Sequence, residues 1–209
     1  MRFVGHLDLM RVLERAMRRS KFPVNYSQGF NPRPRMAFAS ALTLGATSEW
    51  ELCQLDLDQE WDEEHVRASF DLLRQQLPAG FTIEDVWPIP LEKKNPYIQV
   101  QAAGYTLTVE GSADGDAAVL TLQEFFRSGP GIPAAQDLSV EAVMGPGPAE
   151  GVEPGAGAVV RLKLPVGDRG GVRIRDVAAA IEQANPGLRV TGLHRSRLWC
   201  EAQPGGLEE

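Results

Sequence analysis

The stretch from Tyr26 to Arg35 reads Tyr-Ser-Gln-Gly-Phe-Asn-Pro-Arg-Pro-Arg. Gly29 permits a bend with positive φ, and Asn31-Pro32 forces an extended or turn conformation. Pro32 and Pro34 stiffen the chain around Arg33 and Arg35. A stiff loop loses little entropy when its guanidinium forks engage phosphate or carboxylate oxygens, whose geometry they match. Tyr26 and Phe30 interleave with these charges as stacking surfaces for unpaired bases, each such stack being worth about 1–3 kcal/mol. Ser27 and Asn31 can fix the loop or read a base edge. Upstream, Arg11, Arg15, Arg18 and Arg19 add further cations. Together these residues describe a basic-aromatic patch suited to single-stranded RNA. The competing reading makes Tyr26 and Phe30 core residues and the loop a rigid connector.

His6 stands two residues before Asp8, and three roles are open to it: general acid or base, metal ligand, or hydrogen-bonded junction residue. His65 falls in an acidic stretch, and His194 lies beside Arg195 and Arg197. Three scattered histidines, with Cys53 and Cys200 far apart and no C-x-x-C spacing, make no metal set. A second anion-binding candidate is "PVGDRGGVRIRD". There a glycine-rich turn with Gly170 and Gly171 precedes a helix, and Arg173 and Arg175 add charge. It lacks both the Lys-Ser/Thr pair of a P-loop and the G-x-G-x-x-G pattern, and a structural turn is the alternative.

The chain around these residues has 209 residues, 43% hydrophobic and 23% charged, enough for one large domain or two small ones. Its net charge of −7 argues against a surface that binds nucleic acid all over. The charge is unevenly spread. Residues 1–40 hold eight lysines and arginines against Asp8 and Glu14, a surplus of +6, so the remaining residues carry −13. Such asymmetry suits an anionic partner docking on one region. Two distant cysteines, and an N-terminus without the apolar core of a signal peptide, point to a reducing cytoplasm. No apolar run reaches the length of a membrane span.

Periodicity supplies the elements. "RFVG" reads as a strand running into a helix over residues 7–20 that ends before Pro23. Leu9, Met10, Leu13, Ala16 and Met17 share one face of that helix, and at about 100° per residue Arg11, Arg15, Arg18 and Arg19 share the opposite one. Asp8 suits its N-cap or first turn. "RMAFASAL" and "WELCQLDL" read as strands joined by a turn at "TLGATS", followed by a helix in "DEEHVRASFDLLRQQL" and a closing strand in "FTIEDVWPIP". The second half repeats the order. "YTLTVEG", "LSVEAVM", "AVVRLKLPV" and "LRVTGLHRSRLWCEA" are strands, "AAVLTLQEFFRSG" and "VRIRDVAAAIEQAN" are helices, and "GPGPAEGVEPGAG" is a linker. The expectation is an α+β chain of two tandem ferredoxin-like β-α-β-β-α-β domains, residues 1–92 and 100–203, with the boundary in "PLEKKNPYIQVQ".

The segment "RFVGHLDLMRVLERAMRRSKFPVNYSQGFNPRPRMAFASALTLGATSE" resembles the N-terminal signature of the radical-SAM-linked proteins of unknown function. The matching elements are His6-Leu7-Asp8, Arg15, Tyr26-Ser27, Gly29-Phe30-Asn31-Pro32, Pro34, and Leu44-Gly45 before Ser48-Glu49. The resemblance covers the first sixty residues or so, with "LHRSRLW" similar to the family's closing strand. The first strand is short, as though an N-terminal stretch were missing. Members occur fused to, or encoded beside, a radical SAM enzyme, so the resemblance implies such a partner. This chain has no C-x-x-x-C-x-x-C, so the iron–sulfur cluster and SAM are expected only in that partner.

The leading expectation is an RNA-binding accessory module, with no cofactor of its own, that presents tRNA or rRNA to a radical SAM enzyme. One alternative is a metal-independent endoribonuclease with His6 as general acid or base. It is similar in fold to the RNA-processing enzymes of CRISPR systems, which also pair ferredoxin-like domains. Another is a protein-docking domain that offers the basic patch to an acidic partner.

Overall fold

The computed structural model describes residues 4–87, 100–111, 115–128, 136–143, 157–166 and 172–200. The expected linker at 145–157 lies almost wholly outside them, and so does most of the expected boundary. The chain is α+β and divides into two compact units. One comprises Met1–Leu44, Glu51–Gln99 and Glu201–Glu209, the other Gly45–Trp50 and Val100–Cys200.

In the first unit, α1 (His6–Ser20) and α2 (Glu63–Gln75) accompany an antiparallel pair, β1 (Met36–Phe38) with β3 (Cys53–Leu55). The helix α1 starts at Gly5, which serves as N-cap, with Asp8 in the first turn. Lys21 stops it in the left-handed region at φ 54, just ahead of Pro23. Its apolar face supplies Ala16 and Met17 to a core completed by Phe22, Val24 and Leu73, with Phe22 edge-on to Phe70 at 4.7 Å. The unit thus shows the inner α-β-β-α of the expected order. Val4 and Gly5 are not a strand, and residues 1–3 lie outside the described set.

The expected closing strand is also absent over residues 81–87. Side chains take the backbone groups that a ladder would use. The Ile83 carbonyl accepts from Arg74 Nε at 2.9 Å, and the Val86 N–H donates to Asp85 Oδ1 at 2.7 Å. Ile83 still packs against the core.

The second unit carries the full ferredoxin-like order. It runs β4 (Val100–Glu110), α3 (Gly115–Ser128), β5 (Gln136–Val143), β6 (Gly157–Pro165), α4 (Ile174–Ala184) and β7 (Arg189–Cys200). Spatially β7, β4, β6 and β5 follow one another, all antiparallel. Alternation along β4 and β6 sends Leu107, Val109, Val160, Leu162 and Leu164 to one face, where Leu122, Val177 and Ile181 of the helices complete the core.

A strand lies within the expected turn. After Gly45 turns the chain at φ 89, β2 (Ala46–Ser48) pairs in parallel with β7 and becomes the edge of the second unit's sheet. Three residues between turn formers carry too little pattern to announce a strand.

Burial pushes the Cys53 thiol from its ordinary 9.0 up to about 12. The folded chain therefore keeps this proton in a window where the unfolded chain has lost it, so stability falls as pH rises above about 9, by about 1.4 kcal/mol per unit. Urea unfolding at pH 8 and pH 10 checks this. The wild type is expected to lose about 1.4 kcal/mol more over that interval than Cys53→Ala does.

Candidate nucleic-acid interface

The loop singled out in the sequence is a hairpin tip held from its base. The segment 23–26 lies between two others: Val24 bridges Leu57 and Tyr26 bridges Pro34. Three backbone bonds close a ring among them. The Asn25 N–H donates to the Asp56 carbonyl at 2.7 Å, Asp56 N–H to Arg35 at 3.0 Å, and Arg35 N–H to Asn25 at 2.8 Å. Above this ring the tip is closed twice between the same two residues. Ser27 N–H donates to the Arg33 carbonyl at 2.8 Å, and Arg33 N–H donates to Ser27 Oγ at 3.0 Å. Gly29, at φ 139, turns the chain where a side chain would be strained.

Burial separates the two aromatics. Tyr26 is partly buried and packs against the core cluster. Phe30 stands wholly exposed at the tip, with Asn31 and Arg33 exposed beside it and Arg35 exposed just past the buried Pro34. A fully exposed phenylalanine gains no burial energy from folding, and its ring is open to solvent.

The helix arginines divide in the same way. Arg11 pairs with Asp8 at 3.0 Å and Arg18 with Glu14 at 2.8 Å, both as surface pairs one helical turn apart. Arg19 belongs to the fold. It donates to the Gln76 carbonyl at 2.6 Å and to Gln76 Oε1 at 3.3 Å, satisfying the C-terminal end of α2. Arg15, Arg33 and Arg35 are exposed, and among the described residues their guanidinium groups have no ion-pair partner.

The His6 ring meets Phe38 edge-on at 5.4 Å, and its Nδ1 is buried without a hydrogen-bond partner among the described residues. In the second unit, His194 Nδ1 lies 2.8 Å from the Thr47 hydroxyl, and its Nε2 is 3.4 Å from Glu49. These partners reach it because β2 pairs with β7, a link that local pattern does not reveal. Arg195 is buried and donates to the Tyr105 hydroxyl at 3.2 Å, beneath whose ring it also lies.

Of the second anion candidate, Gly170 and Gly171 lie outside the described residues. Arg173 is the N-cap of α4, its carbonyl accepting from the Asp176 and Val177 N–H groups, and Arg175 is exposed. Asp176 already places a negative charge in that first turn. Among the described residues, no three His, Cys, Asp or Glu gather closely enough to hold a metal ion, and no helix is long and apolar enough to cross a membrane.

Residues 1–130 match the model of a family described as uncharacterized protein conserved in bacteria (DUF2344). No curated protein matches the chain. Among solved structures, the crystal structure of the archaeal box H/ACA sRNP Nop10-Cbf5 complex is similar at 11% identity and a TM-score of 0.45. That similarity covers 93% of this chain and 44% of the other, so the chain spans less than half of that one's length.

The division of the arginines has a measurable consequence. Arg19→Ala removes two bonds from the end of α2 and is expected to cost about 1–2 kcal/mol, whereas Arg15→Ala stays within about 0.5 kcal/mol. Chemical denaturation of both variants checks it; equal losses would contradict the assignment.

Proposed function

The chain belongs to the DUF2344 family, and within it we propose that this protein binds single-stranded RNA through the hairpin tip and presents it to a radical SAM enzyme. The observation that carries the RNA reading is Phe30, wholly exposed on a tip whose backbone is locked at both ends, with Arg33 and Arg35 beside it. An aromatic ring held in solvent by a rigid support is a surface on which an unpaired base stacks without prior ordering of the protein. Arg15, Arg33 and Arg35, all exposed, hold phosphates, and the exposed Asn31 next to Phe30 in the chain reads a base edge.

Support for the partner comes from the resemblance of residues His6-Leu7-Asp8 and Gly29-Phe30-Asn31-Pro32 to the radical-SAM-linked proteins. In that arrangement the cluster and SAM reside in the partner, and this chain supplies the RNA.

Fluorescence anisotropy with a labelled single-stranded RNA tests the reading. Three phosphate contacts predict that log K falls against log salt with a slope of about −2, from about −0.7 per contact. Phe30→Ala is expected to weaken binding roughly 5- to 150-fold while leaving stability within about 0.5 kcal/mol, and Phe30→Tyr retains affinity. Absence of binding by the wild type at low salt, or unchanged affinity in Phe30→Ala, overturns the proposal.

A further inference from the structure

Two polar side chains of the hairpin are of a kind that fixes loops, and the structure uses only one of them. An asparagine in a loop ordinarily bonds its own neighbouring backbone. Here Ser27 does so instead, its Oγ accepting the Arg33 N–H at 3.0 Å. The Asn31 carboxamide is exposed and has no hydrogen-bond partner among the described residues. Its donor and its acceptor are both spare, directly after Phe30 in the chain. Pro32 follows at once and restricts the Asn31 backbone to extended conformations, so little entropy is lost when the side chain engages a ligand. Gln28, the other exposed carboxamide of the tip, has one more rotatable bond to freeze and precedes Gly29 rather than a proline.

The ring beside Asn31 is open. Phe30 is wholly exposed, and among the described residues neither another aromatic ring nor a cation lies against it. The hairpin also holds no acid, since no aspartate or glutamate stands in the chain between Glu14 and Glu49. The groups that can touch the edge of a base stacked on Phe30 are therefore a carboxamide and, two residues further along, the guanidinium of Arg33.

We infer that the base taken by the tip is adenine, its rings stacked on Phe30 and its N6 and N7 bonded by the Asn31 carboxamide. The inference rests on the RNA-binding function proposed above and names the base which that site selects. A carboxamide offers one donor beside one acceptor, and the N6 amine and N7 of adenine are their complement. On the same edge guanine presents two acceptors, N7 and O6, so one of them would face the carboxamide oxygen. Cytosine and uracil bring one ring rather than two to the phenyl face, and the amine of cytosine suits a carboxylate, which the hairpin lacks.

Fluorescence anisotropy with labelled twelve-nucleotide oligouridine strands tests this, one strand all uridine and the others carrying a single central adenosine, guanosine, cytidine or 7-deazaadenosine. The adenosine strand is expected to bind roughly fivefold or more tightly than the all-uridine strand. The 7-deazaadenosine strand, which keeps N6 but has carbon in place of N7, should lose most of that advantage. Asn31→Ala should remove the advantage while holding the all-uridine affinity within about twofold, which reports that the tip is folded and the stack intact. Equal affinity of the wild type for all strands overturns the inference and leaves the hairpin reading intact. So does an adenosine preference that survives Asn31→Ala or the 7-deaza substitution, or an Asn31→Ala variant that weakens every strand alike. A preference for guanosine also overturns it and gives the base edge to an arginine. If the wild type binds none of the strands, the hairpin reading fails and this inference falls with it.

Discussion

The ring of three backbone hydrogen bonds among Asn25, Arg35 and Asp56 is the constraint on which the hairpin depends. Every residue from Gln28 to Arg33 is exposed, so burial cannot hold the tip in shape. It is held at its base, where each strand of the small three-way arrangement satisfies the backbone of the next. Tyr26 and Pro34, bridged to each other at the same level, carry the arrangement down into the core through Tyr26's contact with the apolar cluster. Order therefore passes from the packed face of α1 through the ring to a loop that makes no tertiary contact of its own through Phe30.

Electrostatics then selects which cations remain for a ligand. Arg11 and Arg18 are tied into exposed pairs, whose net worth is only about 0–1 kcal/mol, so they can be exchanged for a better anion at little cost. Arg19 cannot be released in that way, because the end of α2 would lose its donors. The set of arginines without a partner among the described residues is consequently smaller than a count of arginines implies. It is also better organised, because the tip arginines flank stiff proline-bearing backbone while Arg15 projects from a regular helix.

Much of this was legible in the sequence, and the misses have two causes. The faces of α1 followed from the spacing of Leu13, Ala16 and Met17, and the order of the second unit followed from alternation along β4 and β6. Gly29 and the prolines announced a shaped loop. What single-chain pattern could not show was pairing across long separations. Nothing local tells Tyr26, which joins the core, from Phe30, which does not, although both are aromatic and four residues apart. Likewise Ala46–Ser48 looks like the continuation of a turn until β7 is present to receive it. The strand expected over 81–90 is absent over its described part, 81–87, for the opposite reason, since nearby side chains satisfy that backbone.

The pairing of β2 with β7 also shapes how the protein must be made. Thr47 and His194, which meet across that pairing, are separated by 147 residues of chain. On the ribosome, the edge strand of the second sheet is therefore synthesised long before the strand that receives it. It has to wait, flanked by Gly45 and Trp50, while most of both units emerges. Closing so long a loop is a late and slow event in folding, so the edge of the sheet forms only after β7 has emerged.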